Sequence, residues 1–545
     1  MLRRRDVPRQ LFYALSLLAL AVFGTLTWWS WTHFLFPLVI VVVLFVLGLY
    51  DATQHGHAIR RNFPVVGRLR YLFESVRPEL QQYFVESNAS GRPFSRDLRT
   101  LVYQRAKSVT DTVPFGTEKD VYELGYEWMN HSIVAKHPHD PSPRVVIGGP
   151  ACKKPYSAAL LNVSAMSYGA LSTNAIRALN RGAKIGKFLH NTGEGGLSPY
   201  HLLEGGDLTW QLGTGYFGCR DAKGSFDPTL FAEKAAHENV KMIEIKISQG
   251  AKPGHGGILP ASKLTPEIAK IRSVSLGADV VSPPAHTAFL TPVGLCAFIQ
   301  QLRDLSGGKP VGFKLCIGKR REFLAICKAM VETGITPDSI TVDGGEGGTG
   351  AAPLEFSNVV GTPLIEGLVF VHNSLVGVGL RDRIRVIASG RIVTGFDIAQ
   401  KLAIGADLCK SARAMMFALG CIQAQRCNSN TCPTGIATQD PQLVRGLVIG
   451  DKAVRVAHFQ QNTVRAFTEL LAASGLSEPH ELRPWHILRR VSKTETKHYG
   501  EMYEYVKRGA LLGDEPPKTY ARAWLAAKAE SFDSATADPP IIHAA

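Results

Sequence analysis

The sequence predicts an α/β fold: a (β/α)8 TIM barrel with an N-terminal two-helix transmembrane hairpin and a helical C-terminal segment. Three observations carry this. Two apolar runs, about Leu11–Trp29 and Phe34–Tyr50, are each about long enough to cross a bilayer. From about residue 155, eight short apolar runs alternate with helical stretches, the pattern of a parallel barrel. The polar and glycine-rich motifs sit at the ends of those runs, where such barrels place their active sites.

Arg3, Arg4, Arg5 and Arg9 precede the hairpin, Arg60, Arg61, Arg68 and Arg70 follow it, and Trp28, Trp29 and Trp31 mark its turn. Basic flanks stay on the cytoplasmic side and tryptophans favour the interface. The expected location is therefore an inner, cytoplasmic membrane, with both chain ends and the catalytic domain in the cytoplasm. A cleaved signal peptide fits less well, because a second apolar run follows and a small-residue cleavage site is missing. The formal charge of +15 does not point to nucleic acid. Residues 1–70 hold eight Arg and two Asp, which is +6, and the remainder has no long Lys/Arg run.

Residues 1–55 are thus read as the anchor and 56–150 as a linker with a small N-terminal lobe. Phe63-Pro-Val-Val-Gly-Arg-Leu-Arg-Tyr71 reads either as the start of an amphipathic stretch on the membrane surface or as plain linker. The barrel is expected over 151–440, with strands at 159–164, 187–191, 242–247, 279–282, 311–315, 339–343, 385–389 and 408–411. Residues 441–530 read as helical, with Val454–Ser474 amphipathic and a break at Glu481-Leu-Arg-Pro484. Residues 531–545, rich in Ala, Asp and Pro, read as a disordered tail. Nine cysteines in 545 residues do not make a disulfide framework.

Cys421, Cys427 and Cys432 are spaced C-x5-C-x4-C, with Pro433 next. Closely spaced thiolates on one loop suit an iron–sulfur cluster. A structural zinc site needs four ligands, and no fourth Cys or His lies close in sequence. Three unrelated buried thiols are the plain alternative. Three ligands suit a three-iron cluster, or a four-iron cluster with an outside ligand. A cluster would place the domain in a reducing compartment.

Asn191-Thr-Gly-Glu194-Gly-Gly196 follows the second run and Lys246-Ile-Ser-Gln249-Gly-Ala-Lys252-Pro-Gly-His-Gly-Gly257 the third. Asp343-Gly-Gly-Glu346-Gly-Gly-Thr349-Gly350 follows the sixth. Ser389-Gly390-Arg391 ends the seventh and Ser411-Ala412-Arg413 the eighth, where barrels commonly cradle phosphate. Lys314, at the end of the fifth, would stabilise an anionic reduced flavin, or simply form a salt bridge. Glu194 and Glu346 would orient substrate or pass protons, or accept hydrogen bonds from neighbouring amides. Gly213-Thr-Gly215-Tyr-Phe-Gly218 matches G-x-G-x-x-G, but the turn-like Cys219-Arg-Asp-Ala-Lys-Gly-Ser225 follows it where a dinucleotide site needs a helix. His286 reads as structural.

Together, Ser164-Ala-Met-Ser-Tyr-Gly-Ala-Leu-Ser172, Asn191–Gly196, Ile245-Lys-Ile-Ser-Gln-Gly-Ala-Lys-Pro-Gly254, Ser282-Pro-Pro284, Gly347-Gly-Thr-Gly-Ala351 and Cys421–Gln439 resemble the FMN-binding synthase domain of glutamate synthase. The resemblance covers roughly residues 140–445, and the chain is similar to the stand-alone, membrane-anchored members of that family. It implies a barrel that holds FMN and a 3Fe-4S cluster and reduces 2-iminoglutarate, formed from 2-oxoglutarate and ammonia, to glutamate. Carried over, Cys421, Cys427 and Cys432 bind the cluster. Ser164, Ala165, Met166, Ser167, Gln249, Lys314, Gly347, Gly348, Thr349, Ser389, Gly390, Arg391, Ser411 and Arg413 surround FMN. Lys314, Glu194, Glu346 and Lys252 lie at the catalytic centre. Three of the family's usual parts are expected to be missing: an amidotransferase domain, an NADPH-binding module and a Gly-rich β-helical domain. Ammonia would then come free or from a partner. His255 stands where the family usually has Glu, and Asp343-Gly-Gly-Glu346 replaces the usual Gly-His-Asp; both departures bear on substrate more than on cofactors.

The first functional expectation is therefore a flavin- and iron–sulfur-dependent oxidoreductase that makes glutamate with electrons from an external donor. The alternative is a membrane-bound flavin dehydrogenase or electron-transfer module, acting on an amino acid or N-alkyl amino acid with a membrane electron partner. A scaffold that keeps the fold without its cofactors is the non-enzymatic third. A homo-oligomer is compatible with each.

Overall fold

The computed structural model describes residues 7–533, and the chain divides into two compact units at Arg96/Asp97. Arg3, Arg4 and Arg5, and the expected tail from residue 534 onward, lie outside the described residues.

In the first unit, α1 (Val7–Trp29) and α2 (Trp31–Thr53) pack as a hairpin that turns at Ser30. Both are long and apolar enough to cross a membrane. Their close approach depends on Gly48, where a Cβ would stand 2.1 Å from the Phe12 ring. Trp28 and Trp29, at the turn, are 92% and 90% exposed. The linker reading of 63–71 gives way to a helix, α3 (Gly67–Leu80). Asp51 in the last turn of α2 holds its start: the Arg68 guanidinium donates two bonds to it at 2.8 and 2.7 Å, and the Val65 amide a third at 3.1 Å.

In the second unit, eight parallel strands close a barrel: β1 (Leu161–Val163), β2 (His190–Asn191), β3 (Leu208–Leu212), β4 (Val240–Lys246), β5 (Val311–Leu315), β6 (Ser339–Asp343), β7 (Arg385–Ser389) and β8 (Leu408–Ser411). Closure is made by β8 on β1, in the register Lys410↔Asn162 and Ser411↔Val163. The crossover helices start where the sequence supplies caps. Asp227, Thr265 and Thr291 each accept a backbone N–H, and each stands before a proline that begins a helix.

Two expectations about strands need correction. Leu208–Leu212 is the third barrel strand, although it does not read as an apolar run. Thr209 and Gln211 alternate with Leu208, Trp210 and Leu212. Gln211 reaches the barrel interior, where it donates to Glu244, and Trp210 stacks on Phe231 at 5.1 Å. Residues 279–282, in contrast, are not in the barrel. Val280–Val281 pairs antiparallel with Ile258–Leu259 in the long β4–β5 crossover, and Val281 is exposed. The run expected third, 242–247, is therefore the fourth strand, and the fifth to eighth keep their places.

The barrel interior holds a polar layer in place of the usual branched aliphatics. Asn191 on β2, Glu244 on β4, Thr341 on β6 and Lys410 on β8 come from alternate strands and meet at the Glu244 carboxylate. Outside the barrel, α4 (Thr173–Gly186) packs on α6 (Ile449–Ala473), with α5 (Arg413–Leu419) between β8 and the cysteine loop. The segment after α6 is not all helix: Ile487–Arg490 pairs antiparallel with Glu127–Met129 and with Thr496–His498. This sheet ties the residues before the barrel to those after it.

Candidate functional site

The C-terminal ends of the strands form a charged rim. Lys246 and Lys314 are register partners on β4 and β5. Lys314 lies 3.1 Å from Asp343 at the end of β6, and the same Asp343 oxygen accepts the Gly250 amide at 2.9 Å. Burial disfavours the Lys314 ammonium, but Asp343 and Glu244 outweigh it and hold the pKa above its ordinary value. Lys314 thus forms the salt bridge that a strand-end lysine can make, and it is held in its charged form.

Glu194 lies across from it, with Lys246 Nζ 2.6 Å away. Burial works against the carboxylate, yet Lys246, Lys252 and Arg272 together keep its pKa low. Two glycines make room for it. A Cβ on Gly213 would stand 2.6 Å from Glu194 Oε2, and one on Gly257 would stand 2.2 Å from Oε1. Gly213 opens the G-x-G-x-x-G match, so that motif serves to admit a carboxylate side chain. Lys252 is buried and donates to the Ala351 carbonyl at 2.9 Å; burial, and then Lys246, bring its pKa down to about 8. A narrow cleft opens here, lined by Glu194, Thr214, Lys246, His255, Gly257 and Pro283 among others.

Arg272 belongs to this group and was not foreseen. It ends a short helix, is buried, and donates to Tyr168 O at 3.1 Å and Ser167 Oγ at 3.4 Å. Its guanidinium lies 5.2 Å from the Phe217 ring centroid. Burial lowers its pKa to about 10, with Glu194 opposing. His286 is structural as expected. Its ring nitrogens meet Tyr216 Oη and the Lys246 carbonyl at 2.9 Å each, and burial brings its pKa to about 4. Glu346 is placed elsewhere: both its oxygens face the Leu364 amide, at 3.0 and 3.3 Å, at the start of the helix Leu364–Gly377. It anchors the β6 loop and does not join Glu194 and Lys252.

The opposite part of the rim gathers the predicted phosphate residues. Ser164 Oγ is 3.4 Å from Ser389 Oγ, and the Ser164 amide donates to Ser411 O at 2.9 Å. Ser411 Oγ donates to Ile392 O at 2.7 Å. Arg391 adopts φ +49° and Gly390 φ +141°. Arg413 donates to the Glu346 carbonyl; burial, and then the like charge of Arg391, lower its pKa to about 10. The guanidiniums of the exposed Arg391 and the half-buried Arg413 lie near enough to repel, an arrangement that fits an anionic phosphate. Ala165, Met166 and Ser167 continue from Ser164, and the Met166 amide donates to Asn191 O at 3.4 Å. Gln249, Gly347 and Gly348 are half-buried on the β4 and β6 loops, and Thr349 is exposed.

The cysteine loop follows α5. Cys421, Cys427 and Cys432 are free thiols that interact electrostatically with one another. Among the described residues no group of three or more His, Cys, Asp or Glu is placed to hold a metal ion. Three cysteine thiols on one loop are the donor type that an iron–sulfur core takes. Burial raises Cys421 to about 12. At Cys432 burial is overcome by the Thr434 hydroxyl and by amides of residues 434–437, and the thiol is lowered. Gln423, Gln425 and Asn430 take φ of 58°, 54° and 62°, and the Gln423 amide donates to Cys421 Sγ at 3.4 Å. The Ala-Thr-Gln-Asp run pins this loop: Thr438 Oγ1 donates to Asn430 O at 2.6 Å, and Gln439 Nε2 donates to Gly169 O and Leu171 O at 3.0 and 2.9 Å. Ser172 Oγ donates to Gly435 O at 2.7 Å. The segment 164–172 thereby touches both the phosphate end of the rim and the cysteine loop.

Fold and rim define a class: a (β/α)8 barrel with ion-paired lysines and carboxylates at its catalytic face and a cysteine loop beside it. A family profile described as the conserved region in glutamate synthase matches residues 138–477. The glutamate synthase large subunit-like protein YerD of Bacillus subtilis is 37% identical over 495 residues, which is 83% of this chain and 93% of that protein. The archaeal glutamate synthase (NADPH) of Methanocaldococcus jannaschii is 36% identical over 326 residues, 59% of this chain and 60% of that protein. Less than two thirds of the archaeal protein is therefore spanned. A mandelate oxidase of known structure aligns at 15% identity and TM-score 0.40, over 68% of this chain and 87% of that one. The chain belongs to the glutamate synthase family, whose members are oxidoreductases acting on CH–NH2 donors.

Proposed function

We propose that this chain is a membrane-anchored oxidoreductase that uses FMN and a three-iron cluster to reduce 2-iminoglutarate, formed from 2-oxoglutarate and ammonia, to glutamate. One observation carries the reading: Glu194 is surrounded by Lys246, Lys252 and Arg272 on the same rim as the charged Lys314. That group holds more cations than its carboxylate balances, as a dicarboxylate substrate requires. Residues 1–55 serve as anchor, 151–440 carry the chemistry, and 441–530 brace it, with 56–150 joining the two.

Ser389, Gly390, Arg391, Ser411 and Arg413 would hold the FMN phosphate, Ser164–Ser167, Gln249 and Gly347–Thr349 would flank the cofactor, and Cys421, Cys427 and Cys432 would ligate the cluster. When bound, FMN supplies hydride chemistry and the cluster supplies single electrons from an external donor. Lys314 stabilises negative charge that develops at its end of the site. Arg272 and Lys246 attract substrate carboxylates. Glu194, held ionised, fixes Lys246. Lys252, with a pKa near 8, is suited to deliver a proton near neutral pH. Glu346 keeps the β6 loop in position.

The test is direct. Detergent-purified protein loaded with both cofactors should form glutamate from 2-oxoglutarate and ammonium, with dithionite or reduced ferredoxin as electron source. No turnover in fully loaded protein would sink the proposal. The two membrane-length helices favour a second reading, in which an amino acid or N-alkyl amino acid is oxidised and electrons pass to a membrane acceptor. Bleaching of the bound flavin by such a substrate, with reoxidation by a quinone analogue, would select it.

A further inference from the structure

We infer that α3 is an interfacial helix that lies on the anionic surface of the bilayer crossed by α1 and α2. Leu69, Leu72, Phe73, Val76 and Leu80 stand at helical spacing. At about 100° per residue they fall within an arc of roughly 100°, the width of a single amphipathic stripe. All five are exposed, Phe73 at 62%, and Phe84 continues the stripe at 82% in the turn that follows. The opposite side carries Arg68, Arg70, Tyr71, Glu74, Ser75 and Arg77, with Arg70 and Glu74 paired at 3.0 Å. An apolar stripe of this kind with an arginine-rich border is what a helix half-sunk among lipid headgroups presents.

The level of the helix is set by α2. Asp51 lies in the last turn of α2 and is fully buried by its bonds to Val65 and Arg68, so α3 begins where α2 would leave the bilayer. Arg60 lies over the Tyr71 ring at 4.6 Å and Arg68 faces the Tyr50 ring at 6.0 Å, which fixes the connecting turn. Residues 57–80 hold five arginines against Glu74 and Glu79, a net +3. That balance selects anionic lipid headgroups. Continuity with the hairpin and this charge make the occupant of the stripe a lipid surface. The inference rests on α1 and α2 spanning the membrane, and the experiment separates the two.

The full chain, reconstituted in vesicles of phosphatidylcholine and phosphatidylglycerol, would carry the photo-crosslinking residue p-benzoylphenylalanine in place of Phe73, Ser75 or Val43, one position at a time. Val43 is an exposed residue within α2. After irradiation, mass spectrometry should find lipid adducts at 43 and 73 and few at 75. Lipid at 43 with protein adducts at 73 would overturn the inference, because another protein or a second copy would then cover the stripe. Equal lipid adducts at 73 and 75, or no adduct at 73, would overturn it too. Absence of lipid at 43 would remove the membrane-span reading itself, and the inference with it.

Discussion

Lys410→Met should be among the most damaging single changes in the barrel, although Lys410 lies beneath the site. Its partner Glu244 is 3% exposed and accepts from Asn191 and Gln211 on one oxygen, at 2.7 Å each, and from Thr341, at 2.7 Å, and Lys410 on the other. Burial alone would raise the Glu244 pKa. The charges of Lys410 and Lys314, with the hydrogen bonds from Lys410 and Thr341, bring it instead from 4.5 to about 2. That drop, about 2.5 pH units, is worth about 3 kcal/mol. Removing one partner of a buried pair costs roughly 3–5 kcal/mol in general, a quantity of the same order. The folded pKa is depressed, so this stability is present above about pH 4.5 and is lost as pH falls toward 2. The expected outcome is a loss of about 3 kcal/mol at pH 7 for Lys410→Met. A smaller loss is expected for Glu244→Leu combined with Lys410→Met, which leaves no unpaired charge. Because a unit of this size need not unfold in one step, the measurement should be hydrogen exchange on peptides covering 240–246 and 408–411. A loss under about 1 kcal/mol, within the range of an exposed pair, or a double variant worse than the single, would refute the reasoning.

Three further outcomes follow from the site. Cys427→Ser should abolish the cluster's electron spin resonance signal while flavin stays bound; if an external donor still reduced the flavin, the relay role would be wrong. Arg413→Ala should weaken FMN binding by about 10- to 100-fold, as expected for loss of a charge-assisted hydrogen bond of roughly 1.5–3 kcal/mol, read by fluorescence titration of the apoprotein. Unchanged affinity would take Arg413 out of the phosphate site. The KM for 2-oxoglutarate should rise as pH climbs through about 8, where Lys252 loses its proton, and Lys252→Arg, which stays charged, should flatten that rise; a KM independent of pH in the native enzyme counts against Lys252.

The barrel and its family were legible in the sequence because motifs carry position. Glycine-rich loops and a cysteine run at the ends of apolar stretches imply a catalytic face whatever the strand boundaries. The hairpin was legible from length and arginine flanks. What escaped was set by pairing through space. Glu346 and Glu194 look alike in sequence, each in a glycine loop, yet one faces the start of a helix and the other faces three cations. Arg272 carried no local signal, since it ends an ordinary helix in the long β4–β5 crossover.

The missed strand and the polar barrel core have one cause. A parallel strand buried on both faces normally reads as a continuous apolar run. Leu208–Leu212 breaks that rule because Gln211 must reach Glu244, and Glu244 is charged because Lys410 and Lys314 are. Lys314 in turn is the residue on which the flavin reading leans. A lysine kept charged at the bottom of a catalytic face needs counter-charges below it, those need hydrogen bonds from neighbouring strands, and the strands that supply them lose their apolar signature. The element hardest to see in this sequence is therefore the one that the buried charges beneath the rim most directly demand, and an alternating polar strand before a glycine turn, such as Thr209 and Gln211 before Gly213, is the signal by which it can be found.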